Sequence, residues 1–353
     1  MKFKEYGVPD LTLNRYMPKQ GRAQLRTWAI AKENCPQYCL RKNFLTLFPH
    51  SPFPTPVPPI PKAIVKLGYQ PQSIDTSIDA DVLMFQLFRQ LTPQQKVQRF
   101  CDFNQSVRKL ARWGIEMQYP HATTTQIRRE FIKRCLGGEW LEILSFSKDW
   151  GELVIAEPIE LARKIIGILE PLNILYIIGG SVASSLLGES RATQDLDLVI
   201  NISISQASQL IDAMSDEFYI SDSAVIEAIS RSTATPRESS FNVIYLPSME
   251  KADIFVMSNH DPFSISVMNR RQFYPLTGSP ESGIFIYSPE DIVLQKLSWY
   301  KLTPDGSQKQ WRDVLGVLKV QQGRLNRAYL NQWGETLKLT DLLEQALLQS
   351  GYE

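Results

Sequence analysis

A chain of 353 residues with 38 Lys/Arg against 37 Asp/Glu has a net charge of only +1, too small to drive it onto nucleic acid or an anionic membrane. That length can bury the cores of two ordinary domains and still leave a tail. No run approaches the ~20 apolar residues of a membrane span and no signal-peptide core opens the chain, so a cytoplasmic protein with no membrane partner is expected.

The neutral total hides an asymmetry, because residues 1–70 hold eleven Lys/Arg against Glu5, Asp10 and Glu33. This stretch has no sustained periodicity, and Pro49 to Pro61 nearly alternates proline. Such density removes backbone donors and favours extended conformations, so a poorly ordered basic, Pro-rich tail is expected over 1–70. A ligand for a proline-recognising groove or a basic anchor for nucleic acid is the sharper alternative. Cys35 and Cys39 are four apart, but no second ligand pair follows and His50 stands alone, which argues against zinc.

A small helical module is predicted over 73–145. Ile78, Val82, Phe85 and Phe88 to Leu91 make one apolar stripe. Thr92-Pro93-Gln94-Gln95 combines a cap, a first-turn proline and a Gln three residues after the cap. The helix it opens is expected to bury Val97, Phe100, Phe103, Val107, Leu110, Ala111 and Ile115. Tyr119-Pro120-His121 breaks it, and His121 reads as a turn residue rather than a ligand. Thr123 to Gln126 caps a third helix carrying Ile127, Phe131 and Cys135, stopped by Gly137-Gly138. Cys101 and Cys135 read as small buried apolar residues.

From 152 to the C-terminus strands mix with helices before a helical tail, an α+β pattern. Glu157-Pro158 opens a helix to Leu169, and Ile174 to Ile178 reads as a short buried strand ending in Gly179-Gly180-Ser181. A helical segment (Val182 to Leu187) stops at Gly188. Thr193 then leads into Asp195-Leu196-Asp197 at the mouth of a second apolar strand. Alternate strand residues point to one side, so Asp195 and Asp197 present two carboxylates together, an arrangement that favours a divalent cation between them. Mg²⁺ takes oxygen ligands alongside substrate phosphates, and a Gly-Gly-Ser turn at a helix start offers N–H groups to those phosphates. Together these features describe a nucleotidyl-transfer site. Phe241 to Leu246 and Lys251 to Val256 are two further strands joined by a turn at Pro247 to Glu250, and Asp253 is a polar break in the second. Ser288-Pro289-Glu290 opens a helix bearing Lys296, Gln308 to Val320 forms another, and residues from Leu325 complete a helical subdomain.

The order Gly-Gly-Ser, spacer, Asp-x-Asp and later Asp resembles the nucleotidyltransferase superfamily related to DNA polymerase beta, especially its minimal, AbiEii-type branch. Arg191-Ala-Thr193-Gln-Asp195, Ser288 to Tyr300 and Lys309 to Leu315 resemble that branch's further motifs, and the likeness covers about Ala156 to the C-terminus. Residues 73–145 resemble a small helical protein seen in cyanobacteria, often beside a separate nucleotidyltransferase-like gene. The resemblance implies a nucleotidyltransferase fold, a short mixed sheet flanked by helices with a C-terminal helical subdomain. It implies two Mg²⁺ held by Asp195, Asp197 and Asp253, the last also accepting the acceptor's proton. An NTP would lie against Gly179, Gly180, Ser181, Arg191, Thr193 and Lys296. One departure stands out: the family's Gly-Ser-x-Ala-Arg has Ser184 in place of its arginine, and Arg191 is the candidate to compensate.

The implied activity is transfer of an NMP to a hydroxyl on a protein, a tRNA end or a small molecule, with a cognate toxin or antitoxin as partner. A non-catalytic nucleotide-binding scaffold that keeps the fold, or the antitoxin member of such a pair, are the alternatives. Asp313 could pair with Arg312 or Lys296 or touch ligand, and Trp299 and Tyr300 could stack a base or fill core.

Overall fold

The computed structural model describes residues 68–143, 157–233, 239–276, 282–303 and 306–351. The Pro-rich tail, Cys35, Cys39, His50 and the stretch around Gly151 expected to link the modules lie outside the described residues. Among the described residues, 68–112 and those from 121 onward belong to one compact unit.

The helical segment runs through α1 (Ile78–Gln90), α2 (Pro93–Gln118), α3 (Thr124–Cys135) and the single turn α4 (Trp140–Ile143). Its starts are made by side chains that satisfy otherwise orphaned N–H groups. The Thr92 hydroxyl accepts from Gln95 N–H while Gln95 Oε1 accepts from Thr92 N–H, and Thr123 and Gln126 repeat this reciprocal cap.

The rest is an α+β arrangement around one mixed sheet. In chain order it comprises α5 (Pro158–Leu169), β1 (Leu175–Ile178), α6 (Gly180–Leu187), β2 (Asp195–Asn201), α7 (Ile204–Met214), β3 (Phe218–Tyr219), α8 (Asp222–Arg231), β4 (Ser240–Tyr245) and β5 (Glu250–Val256). It continues with α9 (Pro262–Asn269), β6 (Gln272–Pro275) and β7 (Gly283–Ile286), then the helical subdomain α10 (Pro289–Leu302), α11 (Gln308–Val320), α12 (Arg327–Thr336) and α13 (Thr340–Gln349). The strands lie in the order β3-β4-β5-β2-β1-β7-β6. β1 runs antiparallel to β2 and parallel to β7, and β2 runs parallel to β5. The central strands alternate strictly: Leu196, Leu198 and Ile200 of β2 and Ala252, Ile254 and Val256 of β5 are buried, with less buried residues between them. One continuous apolar core joins these strands to α5, α6, α10, α11 and to Val97, Phe100 and Cys101 of α2.

One expectation needs correcting. Val97, Phe100, Cys101 and Ile115 are buried as expected, but Phe103, Val107, Leu110 and Ala111 are exposed, and α2 buries the polar Asn104. Burying an amide requires a partner, and Asn104 has two: its Oδ1 accepts from Thr193 N–H at 2.9 Å, and its Nδ2 donates to Phe100 O at 2.8 Å. One helical turn later Arg108 pairs at 3.1 Å with Glu250, a buried carboxylate that begins β5 rather than ending the turn before it. From α3, Arg128 donates to the carbonyls of Leu246 and Pro247 at 3.1 and 2.6 Å. Polar partners on the sheet region thus choose which face of α2 turns inward. β3, α9, β6 and β7 have no counterpart among the expected elements, and β7 closes one side of β1.

α1 is tied to α11. Lys319 of α11 is almost fully buried and bonds Asp81 of α1 at 2.7 Å, while Arg89 donates to Lys319 O at 2.9 Å.

Candidate functional site

β1 hands the chain into α6 through two glycines that the surroundings require. Gly179 donates its N–H to Asp197 O at 3.0 Å, and a Cβ there would meet the Tyr287 ring at 2.8 Å. Gly180 has φ +51°, a conformation that favours glycine, and a Cβ on it would collide with the Asp197 carboxylate. The Gly-Gly turn therefore lets a helix start lie directly against the Asp-x-Asp strand, where Ser181 N–H donates to that carboxylate.

Across the parallel β2–β5 ladder Asp195 faces Lys251 and Asp197 faces Asp253. All four side chains share the less buried face of these strands. Lys251 Nζ lies 3.1 Å from Asp253 Oδ1 and 3.6 Å from Asp195 Oδ1. The structure thus brings Asp195, Asp197 and Asp253 onto one surface beside Gly180 and Ser181. Among the described residues, however, no three His, Cys, Asp or Glu side chains form a group that could grip a metal ion.

Behind the turn lies a buried charge network. Arg191 donates through Nε and Nη2 to the two oxygens of Asp313 at 2.7 and 2.8 Å, and through Nη2 to Ser181 Oγ at 2.6 Å. Lys296 Nζ meets Asp313 Oδ2 at 2.7 Å. Asp313 therefore takes Lys296 and Arg191, whereas Arg312 turns away to Glu189. Ser184, where the family pattern has arginine, is almost fully buried, so no guanidinium fits there without displacing core; Arg191 approaches Ser181 from the far side of the spacer. Thr193 donates its hydroxyl to Asp195 O at 3.0 Å, so it shapes the entry to β2 through backbone. Trp299 and Tyr300 pack edge-on or tilted against Phe255 and Trp311.

Burial raises Asp197 to about 6, with the Asp253 and Asp195 charges pushing the same way and Lys296 pulling against them. Burial also raises Asp253, opposed by Lys251. Burial depresses Lys296 despite its bond to Asp313. For Asp313 burial pushes up, but the Arg191 hydrogen bonds and the Lys296 charge outweigh it and hold the carboxyl below the ordinary range.

A carboxyl raised on folding contributes stability that is complete below its unfolded value and is lost as pH rises through its folded value. Asp197 should therefore cost the fold on the order of 2 kcal/mol at neutral pH, growing in between about pH 4 and 6. Asp197→Asn, uncharged and of the same shape, is expected to be more stable than wild type at pH 7 but not at pH 4. Urea unfolding at both pH values measures this, and equal differences at the two would refute it.

The sequence missed Lys251 and the coupling of Arg191 to Asp313. The first was hidden in a two-residue offset from Asp253, the second in residues 122 apart in sequence.

Residues 89–150 match the family model described as Rv0078B-related antitoxin. No curated protein matches the chain in sequence. Among solved structures it is similar to an antigenic nucleotidyltransferase-like protein from Paracoccidioides brasiliensis, at 16% identity over 55% of this chain and 93% of that one, with a TM-score of 0.37. It is also similar to ANT(2")-Ia in complex with adenylyl-2"-tobramycin, at 14% identity over 52% and 98%, TM-score 0.35. JHP933 from Helicobacter pylori is similar at 14% identity over 56% and 90%, TM-score 0.31.

Proposed function

We propose that this chain transfers a nucleoside monophosphate from an NTP to a hydroxyl acceptor and releases pyrophosphate. The observation that carries this reading is the register of β2 and β5, which sets Asp195, Asp197 and Asp253 on one face beside the Gly180–Ser181 helix start. The donors suit a hard divalent cation: all are carboxylate oxygens, and Asp253 Oδ1 is buried yet receives no hydrogen bond. As placed the three carboxylates do not converge into a ligand cluster, Lys251 Nζ standing between Asp195 and Asp253; once drawn together, Asp195, Asp197 and Asp253 would hold Mg²⁺. Bound there, Mg²⁺ supplies charge neutralisation for the triphosphate and acidifies the attacking hydroxyl.

The chain's own residues supply position. N–H groups at the start of α6 and the Ser181 hydroxyl bind phosphate oxygens. Arg191 orients Ser181, and Asp313 fixes both Arg191 and Lys296 so that two cations border the phosphate site. As the acceptor oxygen attacks the α-phosphorus, the bond to the β-phosphate breaks and the acceptor's proton passes to Asp253.

The helical segment serves as a partner-like module within the same chain, which makes this a fused toxin–antitoxin arrangement. The antitoxin family match over 89–150 supports that reading, as does Asn104, which clamps the lead-in to Asp195 through Thr193. Asn104→Ala is expected to lose about 1–2 kcal/mol of stability, because the part-buried Thr193 amide is left unpaired. It is also expected to raise the transfer rate several-fold, as the entry to β2 is released. Urea unfolding and amide exchange at Thr193 read the first effect and a transfer assay the second; unchanged exchange at Thr193 would remove the clamp.

The activity itself is tested with each α-labelled NTP, Mg²⁺ and the full chain, scoring label transfer and pyrophosphate. Activity present in wild type and lost in Asp195→Ala is the expected result. Equal signals from both proteins would overturn the reading.

A further inference from the structure

The carboxylate face contains a cation of its own. Lys251 stands two residues before Asp253 on β5, hence on the same side of the strand, and its Cα pairs with that of Asp195 across the ladder. Its Nζ reaches both oxygens of Asp253, at 3.1 Å to Oδ1 and 3.2 Å to Oδ2, and approaches Asp195 Oδ1 at 3.6 Å. The side chain is largely buried. A single ammonium therefore bridges carboxylates from two different strands, which is where a bridging metal ion would have to act. The contact is one of charge more than of hydrogen bonding: Lys251 donates to Oδ2, while Oδ1 receives no bond in hydrogen-bond geometry. The other cations near the turn are committed elsewhere, since Lys296 and Arg191 both hold Asp313.

We propose that Lys251 is an internal counter-cation that competes with a divalent metal for the Asp195–Asp253 pair, so that an ion enters only by driving the ammonium off; this rests on the metal-dependent reading above. An ammonium and a divalent ion held a few ångströms apart repel strongly in a half-buried site. They cannot share the two carboxylates at full strength. Free metal ion alone must expel Lys251 with no new partner for it. A triphosphate arriving with the ion brings anionic oxygens to which the displaced ammonium can move. Nucleotide and metal should then each strengthen the binding of the other, by the same factor in both directions.

Mn²⁺ binding to the full chain without nucleotide, followed by the electron paramagnetic resonance signal of the free ion, tests this without reference to activity. Lys251→Met keeps the length and removes the charge, and is expected to bind Mn²⁺ at least about tenfold more tightly than wild type. Lys251→Arg keeps the charge and should bind as weakly as wild type. Lys251→Met combined with Asp253→Asn should lose the gain. Thermal unfolding without metal checks that each variant is folded, and Lys251→Gln replaces Lys251→Met should the latter fail. If the neutral variant binds no more tightly than wild type while Asp253→Asn still weakens binding, the lysine's role falls and the metal site stands. If no variant binds Mn²⁺ saturably, both fall together.

Discussion

Asp253→Asn is expected to leave a folded chain that transfers nucleotide about 10³-fold more slowly than wild type, a loss of roughly 4 kcal/mol from the transition state. The substitution keeps the shape of the side chain and its place opposite Asp197 on β5, but removes one anionic ligand and the group proposed to take the acceptor's proton. The β-strand should tolerate it, because burial already raises the Asp253 carboxyl and a neutral amide sheds that cost. Single-turnover transfer at saturating NTP isolates the step: a loss in rate with little change in nucleotide affinity is expected. A variant within tenfold of wild type would mean that Asp253 does not act at the reacting atoms. Urea unfolding of the same sample separates a silent folded enzyme from an unfolded one.

The largest stability effect should come from Asp313. Its carboxylate is nearly fully buried on α11 and is bonded at once by Lys296 of α10 and by the guanidinium of Arg191. Asp313→Ala would strand Lys296, itself almost inaccessible to solvent, without its hydrogen-bonded counter-charge, and the expected cost is about 3–5 kcal/mol. Asp313→Leu combined with Lys296→Met should recover part of that loss, because Lys296 no longer stands buried and unpaired, while the more exposed Arg191 still loses its carboxylate. The pH dependence has the opposite sign to that of Asp197. A carboxyl held below its ordinary range contributes stability that is present above its unfolded value and is lost as pH falls through its folded value. Acid unfolding of wild type should therefore carry a component, in the region below about pH 4, that Asp313→Ala lacks. Identical acid limbs in the two proteins would count against a charged Asp313 in the folded state.

These two carboxylates were not equally visible in the sequence. Asp253 announced itself as a polar residue breaking an apolar strand, and the Asp195-x-Asp197 alternation announced a shared face; β2 and β5 bear out both spacings because a strand's period of two fixes the side on which a residue stands. Gly180 was legible only as part of a Gly-Gly-Ser turn at a helix start; that the Asp197 carboxylate lies against it was decided by the tertiary structure. Asp313 was ambiguous: helix periodicity placed it on α11 but offered Arg312, Lys296 or a ligand as its neighbour.

What the sequence by itself determined was therefore local: where helices and strands begin, the caps at Thr92 and Thr123, and which strand residues share a face. Backbone geometry and short-range hydrogen bonds decide such features over a few residues. The tertiary structure alone decided the rest. It turned Asn104 and Arg108 inward and left Phe103, Val107 and Leu110 exposed, although the apolar pattern favoured the reverse. It carried Arg191 to Asp313 and Ser181, and it set Lys251 opposite Asp195. A helix with two plausible faces turns the one whose buried polar groups find partners, and those partners lie on elements distant in sequence. Strand order and register place charges side by side in the same way, and no periodicity within a single segment records them.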